Sequence, residues 1–181
     1  MIPKDTALLV IDMLNPFEFS HGKTLAHHAK TIVEPINNLR DYCNKQGHPV
    51  IYINDHYELW KADLELIYDK CHNETSADII SPLRPAEDDF FLIKPKHSAF
   101  YGTALNTLLH QLSVKNLILT GIAGNICVLF TANDAYMREF GLIVPKDAIA
   151  SVSGEDNHYA LTMMKNVLKA KIGDTRTLFH S

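Results

Sequence analysis

The sequence predicts an α/β protein, a three-layer α/β/α sandwich with a mostly parallel central sheet of about six strands, in a single domain spanning residues 1–181. Three observations lead there. Short apolar runs rich in Val, Ile and Leu recur along the chain, as expected of strands buried on both faces. Between them lie segments whose apolar residues repeat at helical spacing. The two patterns alternate regularly, and strands joined by helices of that length imply right-handed crossovers and a parallel sheet covered on both faces.

Each element follows in order. Residues 6–12, TALLVID, form the first strand and end on an acid. After a polar and aromatic loop, Leu25, Ala29, Ile32, Val33, Ile36, Leu39 and Cys43 mark a helix that Gly47 is placed to end. Pro35 either kinks that helix or marks its true start. PVIYI at 49–53 is the second strand, the stretch from Trp60 to Tyr68 a helix, and His72 to Asp89, with Pro82 and Pro85, a loop. FFLIK at 90–94 is the third strand, Leu105, Leu108, Leu109 and Leu112 mark the next helix, and NLILTG at 116–121 is the fourth strand. A helix from about Ile126 to Phe140, a strand at 142–147, a helix from about Glu155 to Lys171 and a last strand near TRTLF complete the pattern.

Composition narrows the function. The chain is 46% hydrophobic and 21% charged, which suits one domain with a buried core. No run approaches the roughly 18 apolar residues of a membrane span, and the apolar N-terminal segment is interrupted by Asp12 too early for a signal peptide. A cytoplasmic protein without membrane contact is expected. A net charge of −4 with no basic run lacks the footprint of a nucleic-acid binder. The 3 cysteines, Cys43, Cys71 and Cys127, show no CxxC spacing, which argues against a disulfide framework or a thiolate zinc site. No GxSxG elbow, GxxxxGK phosphate loop or GxGxxG follows a strand.

In open parallel sheets ligands bind outside the carboxyl ends of the strands. Asp12 closes the first strand, Lys94 closes the third, and Cys127 follows the fourth after the turn GIAGN. That turn leads into a helix and sets the Cys127 sulfur at a helix N-terminus, where free N–H groups favour a thiolate. The competing interpretation is a small buried hydrophobe, and for Cys43 and Cys71 it prevails. A helix terminus supplies ~0.3–2 kcal/mol, whereas bringing a thiol from about 8.5 to the neutral range takes roughly 2–3 kcal/mol. Lys94 is the expected source of the remainder, with Asp12 as general base. Alternatives are a snorkelling lysine and an aspartate that only caps a loop.

IDMLNPF at 11–17, KPKHSAFYGTAL at 94–105 and GIAGNICV at 121–128 resemble the isochorismatase-like cysteine hydrolases in order, spacing and strand context, over nearly the whole chain. The resemblance implies a parallel sheet with flanking helices and a catalytic triad of Asp12, Lys94 and Cys127. It also implies a non-proline cis peptide between Ile122 and Ala123 and an oxyanion hole made by the amides of Ala123 and Cys127. Lys96 lies two residues beyond Lys94, but Lys94 aligns with the family's position.

Nicotinamidases of this superfamily carry a metal-binding D-x-H motif after the second strand, whereas this chain has Asn54-Asp55-His56-Tyr57. Adjacent side chains on an extended segment point to opposite faces, so no metal is expected at Asp55 and His56, and no cofactor. His27 and His28 belong to no metal motif such as HExxH. Isochorismatases proper, as the resemblance implies, cleave a vinyl ether without a cysteine nucleophile, so Cys127 points toward amide chemistry. The expected activity is cleavage of a small-molecule amide through a thioester. Alternatives are isochorismatase-type or other hydrolysis, a non-catalytic binding protein on the same scaffold, and a redox-sensing thiol. Phe17, Phe19, Trp60, Phe100 and Tyr101 are candidate walls of a small apolar pocket, or ordinary core or interface residues. A homo-oligomer, dimer or tetramer, is expected.

Overall fold

The computed structural model describes residues 2–179. In chain order the elements are β1 (Thr6–Ile11), α1 (Gly22–Gln46), β2 (Val50–Asp55), α2 (Leu64–Cys71), α3 (Ala77–Ile80), β3 (Phe90–Lys94), α4 (Leu105–Gln111) and β4 (Asn116–Ile122). A π-helical turn, Gly124–Val128, leads into α5 (Leu129–Met137), followed by β5 (Gly141–Pro145), β6 (Ile149–Ala150), α6 (Gly154–Asn166), β7 (Lys171–Gly173) and α7 (Thr175–Phe179). Every strand pairing is parallel, in the order β3-β2-β1-β4-β5-β7, with β6 added against the end of β4.

Period-two alternation divides the core. Leu8 and Val10 of β1 join a cluster with Ala29, Ile36 and Leu39 of α1, while Ala7, Leu9 and Ile11 face Leu105, Leu109, Ala132 and Ala160 of α4, α5 and α6. Helices therefore cover both faces, as the continuous apolar strands require. The chain runs outward from β1 through β2 to β3 and resumes with β4 on the other side of β1. The order reverses between β1 and β4, and crevices in doubly wound sheets form at such a point. Gly121 permits the close approach there: its φ is +109°, and a Cβ would run into the carbonyl of Ile11.

The structure departs from the sequence pattern in local ways. Pro35 lies inside α1 rather than at its start, and Gly47 closes that helix at φ +73°. The helix expected from Trp60 begins only at Leu64, because Asp63 caps it through Leu66 N–H at 3.1 Å while Tyr57, Glu58 and Trp60 take left-handed φ values. The 72–89 loop contains α3, nucleated by Asn73, whose Oδ1 accepts from the amides of Thr75 and Ser76. TRTLF is a helix rather than a strand: Asp147 accepts from both the amide and the hydroxyl of Thr175, and the last strand, Lys171–Gly173, ends before it. No helix among the described residues is long and apolar enough to cross a membrane.

Candidate active site

The first three strands end in a row of polar residues. Register pairs Ile11 with Ile53 and Asp55 with Lys94, so Asp12, Asp55 and Lys94 follow one another across the carboxyl edge. Asp12 takes φ +53°, a left-handed conformation that aspartate tolerates better than most residues. Its Oδ1 accepts from the Asp55 amide at 2.9 Å, and its Oδ2 lies 2.8 Å from Lys94 Nζ. Lys94 is 1% exposed; its Nζ donates to the Lys96 carbonyl at 3.1 Å and reaches Cys127 Sγ at 3.5 Å. Lys96 thus meets the site through its backbone, while its side chain is exposed.

Cys127 sits on the π-helical turn beyond β4, half-buried. The peptide bond between Ile122 and Ala123 is cis. The amides of Ile126 and Val128 donate to the Ala123 carbonyl at 3.0 and 3.2 Å, and Asn125 N–H donates to Ser151 Oγ at 3.1 Å. Ser151 Oγ in turn donates to Asn157 Oδ1 at 2.7 Å, while Gly124 leaves no room for a Cβ against that pair. Behind the turn, Thr131 Oγ1 donates to the Cys127 carbonyl at 2.7 Å and accepts from Ala99 N–H at 3.0 Å. No signal short of the assembled fold marks Ser151; Thr131, four residues after Cys127, has the spacing of a helical back-bond.

Burial sets the protonation of this cluster. It raises the Asp12 carboxyl above the ordinary aspartate range, against the opposing pull of Lys94 and a hydrogen bond from Cys127. For Lys94 burial disfavours the charge, but Asp12 and the Cys127 sulfur outweigh it, and the ammonium is held. Burial and the Asp12 charge push the Cys127 thiol up by more than Lys94 draws it down. Burial thus works against the thiolate that a helix N-terminus beside a lysine favours, and the carboxylate that pairs with Lys94 lies beside the sulfur.

A cavity of about 350 Å³ opens over the sulfur, at the small end of ligand pockets. Asp12, Cys127, Ile122 and Ala123 form its floor; Phe19, Leu25, Tyr57, Ile126 and Val152 its apolar walls; and Asn15, Glu18, Asp55 and His97 its polar part. The expected aromatic walls need correction. Phe17 is buried at φ +56° and faces a neighbouring depression of about 640 Å³ that holds none of the triad residues. Trp60 is 67% exposed and stacks on His56 at 3.8 Å. Phe100 packs in the core against Phe140, under Arg138, and Tyr101 is 61% exposed. Phe19 does line the cavity. Tyr57, which no periodicity singles out, supplies the other aromatic wall.

Tyr57 stands where a D-x-H motif would place its histidine, and its hydroxyl donates to the Leu14 carbonyl at 2.7 Å. His56 lies against Trp60, its Nδ1 accepting from Glu58 N–H. Among the described residues no three His, Cys, Asp or Glu side chains are placed to hold a metal ion together, so these residues do not fit a nicotinamidase-type metal. His28 Nδ1 meets the Ser151 carbonyl at 2.8 Å, a structural contact away from the cavity.

The doubly wound sheet, with aspartate, lysine and cysteine gathered at its switch point, accords with the hydrolase family that the sequence resembles. Residues 6–176 match the isochorismatase domain, and the chain belongs to that family of hydrolases. It is 59% identical over 172 residues to YaaI, an isochorismatase family protein of Bacillus subtilis (strain 168), covering 95% of each chain. Among solved structures it is similar to a pyrazinamidase/nicotinamidase from Streptococcus mutans UA159, at 29% identity and TM-score 0.74 over 93% of this chain and 99% of that one. An N-carbamoylsarcosine amidase from Thermoplasma acidophilum matches at 25% identity and TM-score 0.71, over 94% of this chain and 96% of that one.

Proposed function

We propose that the protein is a cysteine-dependent amidase that cleaves the C–N bond of a small amide through a thioester. The observation that carries this is the Asp12–Lys94–Cys127 cluster, 2.8 and 3.5 Å between its members, on the floor of a cavity fit for a small molecule. The amidases among the structural neighbours support the same chemistry.

Asp12 takes the thiol proton as Sγ attacks the carbonyl carbon, and the new S–C bond places negative charge on the carbonyl oxygen. The amides of Ala123 and Cys127 receive that oxyanion. Neighbouring amides at Asn125, Ile126 and Val128 are already bonded within the turn. Asp12 returns the proton to the departing nitrogen as the C–N bond breaks. Water, deprotonated by Asp12, then attacks the thioester, releasing the acid and restoring the thiol. Lys94 stays protonated throughout: it pairs with the Asp12 carboxylate while that is ionised, and it stabilises the sulfur as the thiol proton leaves.

The test is ammonia release from a panel of small primary amides and ureas, with Cys127→Ala as control. Turnover falling at least about a thousandfold in the variant, with a hydroxylamine-sensitive acyl adduct on the wild-type thiol, is expected. Undiminished turnover in Cys127→Ala would overturn the proposal.

A further inference from the structure

The polar part of the cavity is one-sided in charge. Glu18 and Asp55 line it together with Asp12, whereas the cation beneath it, Lys94, is buried and already paired with Asp12. His97 and Asn15 are the remaining polar groups, and Lys23 borders only the neighbouring depression. Asp55 is held in place at both ends. Its amide donates to Asp12, and its Oδ1 accepts from Tyr57 N–H at 3.0 Å, while Oδ2 has no hydrogen-bond partner among the described residues. The side chain is 46% exposed and lines the cavity. His56, stacked on Trp60, keeps its Nε2 3.9 Å from Asp55 Oδ1, and with the Tyr57 hydroxyl bonded to Leu14 no set of ligands that could hold a metal ion forms there among the described residues.

We propose that Asp55 is a specificity residue that receives a positively charged end of the substrate, so that the site takes small amides bearing a distal ammonium in preference to those bearing a carboxylate. Asp55 stands one backbone hydrogen bond from the catalytic carboxylate. A substrate whose carbonyl lies over Cys127 therefore brings a group a few atoms further on to Oδ2. The apolar walls, Phe19 and Tyr57 among them, enclose the segment between, and low-dielectric walls strengthen the attraction of a like-signed rim for a cation. A carboxylate at that end would face two acids, against which the lining sets only the imidazole of His97. The assignment rests on the amidase chemistry proposed above only for where the scissile bond lies.

Charge-matched thiol reagents test it without knowledge of the substrate. Rates at Cys127 with 2-aminoethyl, methyl and 2-sulfonatoethyl methanethiosulfonate, each divided by the reagent's rate with free 2-mercaptoethanol, are measured in the wild type, Asp55→Asn and Glu18→Gln. The corrected cation-to-anion ratio is expected to be roughly tenfold, to fall to about threefold in Asp55→Asn, and to change less in Glu18→Gln. A wild-type ratio near one, or a ratio unaltered by Asp55→Asn, overturns the proposal. A parallel hydrolysis arm compares 4-aminobutanamide, pentanamide and glutaramate. Hydrolysis of all three without preference also overturns the role of Asp55, yet upholds the amidase. Charge selection at the thiol with no amide hydrolysed upholds Asp55 and counts against the amidase.

Discussion

Burial does more than any single neighbour to set the chemistry of the three central residues. In the proposed mechanism Asp12 must be ionised to accept the thiol proton, and burial raises its carboxyl above the ordinary aspartate value near 3.9. Activity is thus lost as pH falls through that raised value, and the acid limb of kcat/KM is expected above the range of an exposed carboxylate. A pH-rate profile measures it; Asp12→Asn removes the limb together with at least about a hundredfold of the rate. That Asp12, Lys94 and Cys127 meet was legible in the sequence because each ends or follows a strand, and strand ends on one edge of a parallel sheet are neighbours whatever the loops do. The pocket walls were not. Whether Trp60 or Tyr57 faces the cavity depends on left-handed φ values at 57, 58 and 60, which no apolar period records.

At the scale of elements, the turn that carries Cys127 is held from the side by a strand only two residues long. The hydroxyl of Ser151, the residue after β6, takes the Asn125 amide and gives its proton to Asn157 on α6, so one buried side chain joins the turn to both. Ser151→Ala leaves that amide without its acceptor. The expected result is a fall of about tenfold in kcat with KM little changed, and a loss of roughly 1–2 kcal/mol in a denaturant titration. The long strands were legible because four or more consecutive apolar residues are hard to place otherwise. β6 and β7 were not, since two or three residues carry no period. The TRTLF segment misled because its threonines favour strands in general, whereas here Asp147 binds one of them and starts a helical turn.

Over the whole molecule the three cysteines divide by layer and function. Cys43 on α1 and Cys71 on α2 are fully buried in the same apolar cluster, and burial pushes both thiols up to about 12. A disulfide reagent is expected to modify Cys127 in the native state, and to reach Cys43 and Cys71 only through global unfolding, at one common urea midpoint that coincides with loss of turnover. Mass mapping of the modified thiols along the titration checks this; modification of Cys71 below the midpoint would mean that α2 opens by itself. The single transition follows from the switch point. Asp12 and Cys127 belong to strands that adjoin in space but are far apart along the chain, with Lys94 arriving from a third. A ribosome releases the base first and the sulfur last. An unfinished or misfolded copy keeps its acid and its sulfur apart, so the thiol has no base beside it until the strands on both sides of the switch point have closed.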